Sequence, residues 1–323
     1  MDTNALVHTD PRLPGADELA TLGIGRQMAS PGSSTTRFPD GGSYRIEIPS
    51  LEGPEVMRAA LDEAKRCGVT IHRISQGSGV MMLQDAEIIE MLDLAREENI
   101  EVCLFLGPRA LWDIGAGRAT TGAGPRARGY DQLGQSIAEA QRAVNLGVRC
   151  LLVADEGVLW TLHRMRREGD IPADLRLKFS ALTGPSNPAS FQVISGLGAD
   201  SINVPGDMTI SHLAELRRAM ETVIDIYIES PDDLGGFVRH YEVAEIIRVA
   251  APVYLKFGVR NAPPMYPVGQ HLISTAKNLA RERVRRARLC LDHLDRIGST
   301  EAMPAPGNTE LRSPQRFALQ PDS

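Results

Sequence analysis

The sequence predicts a single (β/α)8 TIM barrel, and three observations carry that prediction. Eight short apolar or β-branched runs recur along the chain. Amphipathic stretches of helical period separate them. Several of these stretches stop at a glycine just before the next run. The runs begin near Tyr44 (YRIEIP), Val69 (VTIHRIS), Ile100 (IEVCLFL), Val148 (VRCLLVA), Leu175 (LRLKFSAL), Asp200 (DSINVP), Val223 (VIDIYIES) and Pro252 (PVYLKFG). Helical stretches are expected over 54–67, 85–98, 131–146, 157–169, 188–197, 209–221, 238–249 and about 270–295. Gly68, Gly147 and Gly198 supply left-handed helix caps. A strand-first repeat of eight units fits a closed barrel. No GxGxxG marks the first strand–helix turn, so an open dinucleotide-binding sheet is the lesser alternative.

Residues 43–296 form the expected barrel. Residues 1–42, rich in Pro, Gly, Ser and Thr, read as a mobile arm, part of which could pack as a plug; residues 297–323 read as a disordered tail. The 323 residues are 42% hydrophobic and carry a net charge of −6 without an acidic block, which argues against nucleic acid as a partner. Cys67, Cys103, Cys150 and Cys290 have no metal-site spacing and read as reduced thiols in a cytoplasmic protein. The N-terminus lacks a signal-peptide core, and no apolar run is long enough to span a membrane.

Strand alternation sorts the side chains. If the apolar sets face the helices, the lumen receives Arg45, Glu47, Lys178, Ser180, Asn203, Asp225, Tyr227, Glu229, Tyr254 and Lys256, together with Arg73 and Ser75. A structural barrel fills its lumen with branched apolar residues, so this much charge needs a reason. One reason is a structural layer, with Arg45 paired to Glu47 and Asp225. The other is a site at the C-terminal rim, where Glu47, Ser75, Ser180, Asn203, Glu229 and Lys256 fall.

The rim loops add candidates. SQGSG (75–79), with Gln76 between Ser75 and Gly77, could cradle an anion on backbone amides above Arg73; a tight turn explains the glycines equally well. The loop at 107–130 carries Arg109, Arg118, Arg126 and Arg128 and reads as a substrate lid, against a flexible insertion or an oligomer contact. Gly235, Gly236, Gly258 and Arg260 follow strands seven and eight, where many barrels bind phosphate. Asp155 reads first as a helix cap. No histidine pattern suggests zinc. A Mg2+ or Mn2+ site would draw on Glu47, Asp155, Glu156 and Glu229.

The segments EIPSLEGPE, HRISQGSG, ESPDDLGGFVRHYE and PVYLKFGVRNAPPMYP resemble bacterial barrel proteins grouped as relatives of the collagenase-like peptidase family, over about residues 43–275. The resemblance implies the barrel. It carries over no catalytic residue, because that family's cysteine-bearing segment is absent here, and peptidase activity is not expected.

The functional expectation is an enzyme acting on a small anionic metabolite by lyase-, aldolase- or isomerase-type chemistry next to a carbonyl. Lys256 would be the reacting amine or a proton carrier, with Lys178 its rival, and Glu229 and Glu47 the acid/base groups. Asn203, Tyr227, Ser180, Ser75 and Gln76 would hold the substrate, and Arg73, Arg109 and Arg260 its carboxylate or phosphate. The alternatives are a divalent-metal enzyme on the rim carboxylates and a non-catalytic barrel that binds a metabolite or a partner. The basic face of RERVRRARLCLDHL could dock a second copy in a homo-oligomer; a solvated face is the plainer reading.

Overall fold

A computed structural model of the chain describes residues 16–24, 31–107, 126–263, 265–301, 303 and 314–315. Eight parallel strands close into a barrel in sequence order: β1 (Tyr44–Pro49), β2 (Arg73–Ser75), β3 (Glu101–Phe105), β4 (Cys150–Val153), β5 (Arg176–Phe179), β6 (Ser201–Asn203), β7 (Val223–Glu229) and β8 (Val253–Phe257). A short helix α1 (Ala16–Thr21) precedes the barrel. The barrel helices are α2 (Pro54–Cys67), α3 (Asp85–Glu98), α4 (Gly129–Leu146), α5 (Glu156–Glu168), α6 (Pro188–Gly196), α7 (Ile210–Ala219), α8 (Val243–Ala250) and α9 (Ile273–Arg296). Among the described residues no helix is long and apolar enough to cross a membrane.

The local causes are those the sequence shows. Gly68 and Gly147 close their helices in the left-handed conformation as expected, Gly169 does the same for α5, and Gly198, also at positive φ, stands one residue beyond the Leu197 cap of α6. Asp155 caps α5 by accepting from the Val158 amide (2.9 Å), and its other oxygen accepts from the Ala127 amide (3.2 Å). Asn187 and Ser190 form a reciprocal cap on α6.

The main core lies between the strands and the helices. It takes the outward residues of every strand, such as Ile46, Ile74, Leu104, Leu177, Ile226 and Leu255. A smaller cluster of Cys103, Phe105, Cys150, Leu152 and Ala154 fills the lumen beside β3 and β4. The rest of the lumen is polar, as the alternation requires.

Residues 31–42 fall within the expected arm and pack as a plug under the barrel. Ser34 donates through its amide to the Arg248 carbonyl (2.7 Å), and its hydroxyl donates to the Ala251 carbonyl (2.5 Å). Phe38 is buried edge-on against Tyr254, and the Arg45 guanidinium lies 4.1 Å from its ring centre. An aromatic ring beneath a buried cation offsets part of its desolvation.

Candidate active site at the barrel mouth

The lumen holds a layered set of charges. Arg73, on β2, donates through Nε to Glu47 Oε2 (2.6 Å) and contacts Asp225 directly, and its ring-facing side stacks 3.6 Å from the centre of Tyr254. Lys178, on β5, bonds Glu47 Oε2 and lies 3.6 Å from Asp225 Oδ1. Ser75 donates to Glu47 Oε1 (2.7 Å). Glu101 faces Arg73 (3.5 Å) and Arg176 (3.4 Å). Low in the barrel, Arg45 pairs with Asp40 (2.6 Å) and accompanies the Tyr254 hydroxyl (3.3 Å), not Glu47 and Asp225 as expected.

Pairing Arg45 with Asp40, Arg176 with Glu101, and Arg73 and Lys178 with Glu47 and Asp225 leaves Lys256 without a carboxylate of its own among the described residues. Its Nζ donates to Asn203 Oδ1 (2.6 Å), lies 4.2 Å from the centre of the Tyr227 ring, and stands 3.7 Å from Glu47 Oε1. Asn203 is fixed in turn by donating to the Phe179 carbonyl (2.7 Å).

These surroundings set the protonation. Burial alone would raise the Glu47 carboxyl, but Arg73, Lys178 and Lys256 outweigh it and hold the group well below its ordinary value. Arg73 is held firmly charged against its own burial by Asp225 and Glu47. Lys256 goes the other way: burial lowers its amine below the usual lysine range, only partly offset by Glu47 and Asp225. Burial also pushes the Tyr254 hydroxyl up to about 12.

A small cavity of about 40 Å³ opens at the C-terminal mouth, lined by Ser75, Gln76, Ser180, Asn203, Tyr227 and Lys256 among others, with Tyr266 at its edge. Lys178 and Arg73 do not line it; they lie below, inside the ion layer. Ser180 also caps the turn that follows β5, accepting from the Leu182 amide (3.3 Å).

Glu229 is not in this group. The strand register shifts between Tyr227 and Glu229, so Glu229 pairs with outward-facing Phe257 rather than continuing the inward set. Its carboxylate sits behind β7, accepting from the Arg260 amide (3.1 Å) and lying 3.5 Å from both His240 Nε2 and Arg286 Nε. Burial opposes its ionisation, but the His240 contact, the Arg260 amide and Arg286 hold the carboxyl below its ordinary value.

Both expected anion cradles are filled by the protein's own oxygens. In SQGSG, the amides of Gly77 (2.8 Å) and Ser78 (2.9 Å) donate to the Glu52 carboxylate. Gln76 is spent on the loop itself, exchanging hydrogen bonds with Gly79 (3.1 and 3.2 Å). After β7 and β8, the Gly258 amide donates to the Glu229 carbonyl (2.6 Å), and the Asn261 amide donates to Asp232 Oδ2 (2.6 Å). Gly235 and Gly236 close a turn on the carbonyls of Asp232 and Pro231 (3.1 Å each), and the Arg260 side chain faces Asp232 (3.3 Å) at the surface. Arg109 and Arg118 lie outside the described residues. Arg126 pairs with Glu156.

The four carboxylates considered for Mg2+ or Mn2+ do not converge. Glu47 is in the lumen, Glu229 lies behind β7, Asp155 caps a helix and Glu156 faces Arg126. Among the described residues no group of three or more His, Cys, Asp or Glu side chains is placed to share an ion.

Gly77 has a steric role. A Cβ there would lie 2.8 Å from the Tyr266 ring. Gly77→Ala is expected to cost about 1–3 kcal/mol by overpacking. The loss should be largely relieved in the double variant with Tyr266→Ala. Urea unfolding of the four-member cycle checks this, and additive losses would assign Gly77 another role.

No family model matches the chain, and no curated protein matches it. Solved structures do. A U32 peptidase aligns at 16% identity and TM-score 0.43, over 74% of this chain and 98% of its own. The YdjI aldolase from Escherichia coli K12 aligns at 12% and 0.47, over 81% and 94%. A truncated 3-deoxy-D-arabino-heptulosonate 7-phosphate synthase from Thermotoga maritima aligns at 14% and 0.42, over 83% and 94%.

Proposed function

We propose that this chain is a barrel enzyme acting on a small anionic metabolite by lyase- or aldolase-type chemistry, with Lys256 as the amine that attacks the substrate carbonyl. One observation carries the reading. Lys256 lines the mouth, its one carboxylate contact is Glu47 at 3.7 Å, already held by Arg73 and Lys178, and burial pushes its amine toward the neutral form. The neutral amine adds to the carbonyl carbon to give a carbinolamine. Loss of water gives a protonated imine, which accepts the electron pair of the breaking carbon–carbon bond. Asn203 aims Nζ, and a substrate anion adds to the counter-charge that Nζ otherwise shares with Arg73 and Lys178 on Glu47.

Glu47 then acts as a permanent counter-charge rather than as the acid/base group, because a carboxylate held so far below its ordinary value is a poor proton carrier near neutrality. Tyr227, whose ring lies under Nζ, is our candidate for the group that moves protons at the mouth.

The test is borohydride reduction in the presence of pyruvate, hydroxyacetone or glyceraldehyde, followed by peptide mass mapping. A reduced adduct on Lys256 is the expected result. An adduct confined to other lysines, or none with any carbonyl offered, sinks the proposal.

A further inference from the structure

Beside the mouth lies a much larger cleft, of about 390 Å³, between the loops after β1, β7 and β8 and the flank of α9. The mouth cavity, at about 40 Å³, has room for only a few waters. A metabolite that reaches Lys256 must therefore keep most of its body elsewhere. The cleft and the mouth share the walls Pro49, Ser50, Tyr227, Pro231 and Tyr266. The partition between them is side chain: the Tyr266 and Ser50 hydroxyls bond each other across it.

The far wall carries Arg283, on α9. The residue is 8% exposed. Its Nη1 donates to the Ser50 carbonyl (3.3 Å), its buried Nε has no hydrogen-bond partner, and no carboxylate stands within ion-pair distance among the described residues. A buried guanidinium without an anion is costly, and the fork of donors that remains suits a planar anion. Ala262, Met265, Val268, Ala276 and Leu279 make the rest of the wall mainly apolar. Glu52, Asp232 and Asp233 also border the cleft, and their charge disfavours a dianionic phosphate more than a single carboxylate.

We propose that Arg283 seats the carboxylate of the ligand, and that the substrate is an oxo acid with an apolar chain between its carbonyl and its carboxylate. The carbonyl end of this assignment rests on the Lys256 reading; the carboxylate seat does not. Binding occurs with the chain in the cleft and the carbonyl passing Tyr266 toward Nζ.

Hexanoate is the probe, with 1-hexanol and hexyl phosphate as controls, titrated calorimetrically into the full chain. Hexanoate is expected to bind more tightly than either control. Arg283→Met should weaken hexanoate at least tenfold while leaving hexanol unchanged. Arg283→Lys, which keeps the charge and loses the fork, should fall between. Leu279→Trp, which fills the cleft, should weaken both chains, and it keeps the test alive if Arg283→Met does not fold. Lys256→Met should leave hexanoate binding intact, so this site and the amine chemistry succeed or fail separately. Hexanoate that does not saturate the wild type, or that binds folded Arg283→Met as well as wild type, overturns the proposal. Tighter binding of hexyl phosphate overturns the carboxylate assignment.

Discussion

Glu47→Gln is expected to lower stability by about 3–5 kcal/mol, the range for removing one partner of a buried ion network. The substituted amide turns its N–H donors toward groups that already donate. Arg73 and Lys178 lose their shared oxygen, Lys256 loses its closest carboxylate, and Ser75 loses its acceptor. Asp225 is then the remaining carboxylate beside both Arg73 and Lys178. In a chain of this size the melting temperature should fall by roughly 10 °C. The pH dependence has a definite sign. The folded carboxyl lies well below its ordinary 4.5, so the network's contribution is present above pH 4.5 and is lost as pH falls through the folded value. Wild type should therefore lose stability in acid more steeply than Glu47→Gln. Parallel acid limbs in denaturant titrations from pH 7 to pH 3 would show that Glu47 is not the group titrating.

Lys256→Met should abolish borohydride trapping, while Lys178→Met should retain it even though it perturbs the ion layer more. Lys178 bonds Glu47 directly and does not line the mouth cavity; Lys256 lines it. The pH profile supplies the second reading. An amine lowered by burial from 10.5 exposes its neutral form at lower pH, and each pKa unit is a tenfold gain in reactive amine at neutrality. The trapping rate should thus level off below pH 10.5. Because Glu47 raises the Lys256 value, the folded fraction of Glu47→Gln should level off at lower pH still. A midpoint near 10.5 in wild type would remove the basis for calling this amine activated.

The barrel was readable because both of its periods are clean. Polar and apolar residues alternate on β1, β5, β6, β7 and β8, and the longer helices such as α2 and α9 show an apolar stripe. The placement of side chains in the lumen was readable wherever that alternation held, which is why Glu47, Asn203, Tyr227 and Lys256 fall together. It misled at Glu229, because VIDIYIES keeps its alternation straight through a register shift that only pairing with β8 creates. The fillers of the loops were hidden for another reason. Glu52 reaches the SQGSG amides across 25 positions of sequence, and Tyr266 reaches Gly77 from the loop after β8. Loop glycines show that a close approach occurs and not what approaches. Arg283 did leave a trace. Ala276, Ala280, Arg283, Ala287, Cys290 and Leu294 follow a buried spacing of four and three along α9, so Arg283 interrupts an apolar stripe rather than extending a basic face.

The segment beneath the barrel bears on where the folding unit starts. Counted by its first strand, the domain begins at Tyr44, and shortening the chain to that point removes nothing from the repeat of eight. Counted by what covers its interior, it includes Ser34 and Phe38: Ser34 ties down the end of α8, and Phe38 stands between water and the Arg45–Tyr254 layer. Anyone who trims, grafts or recombines this barrel at the strand boundary would open its floor and hydrate the lowest tier of the charges on which the upper tiers rest.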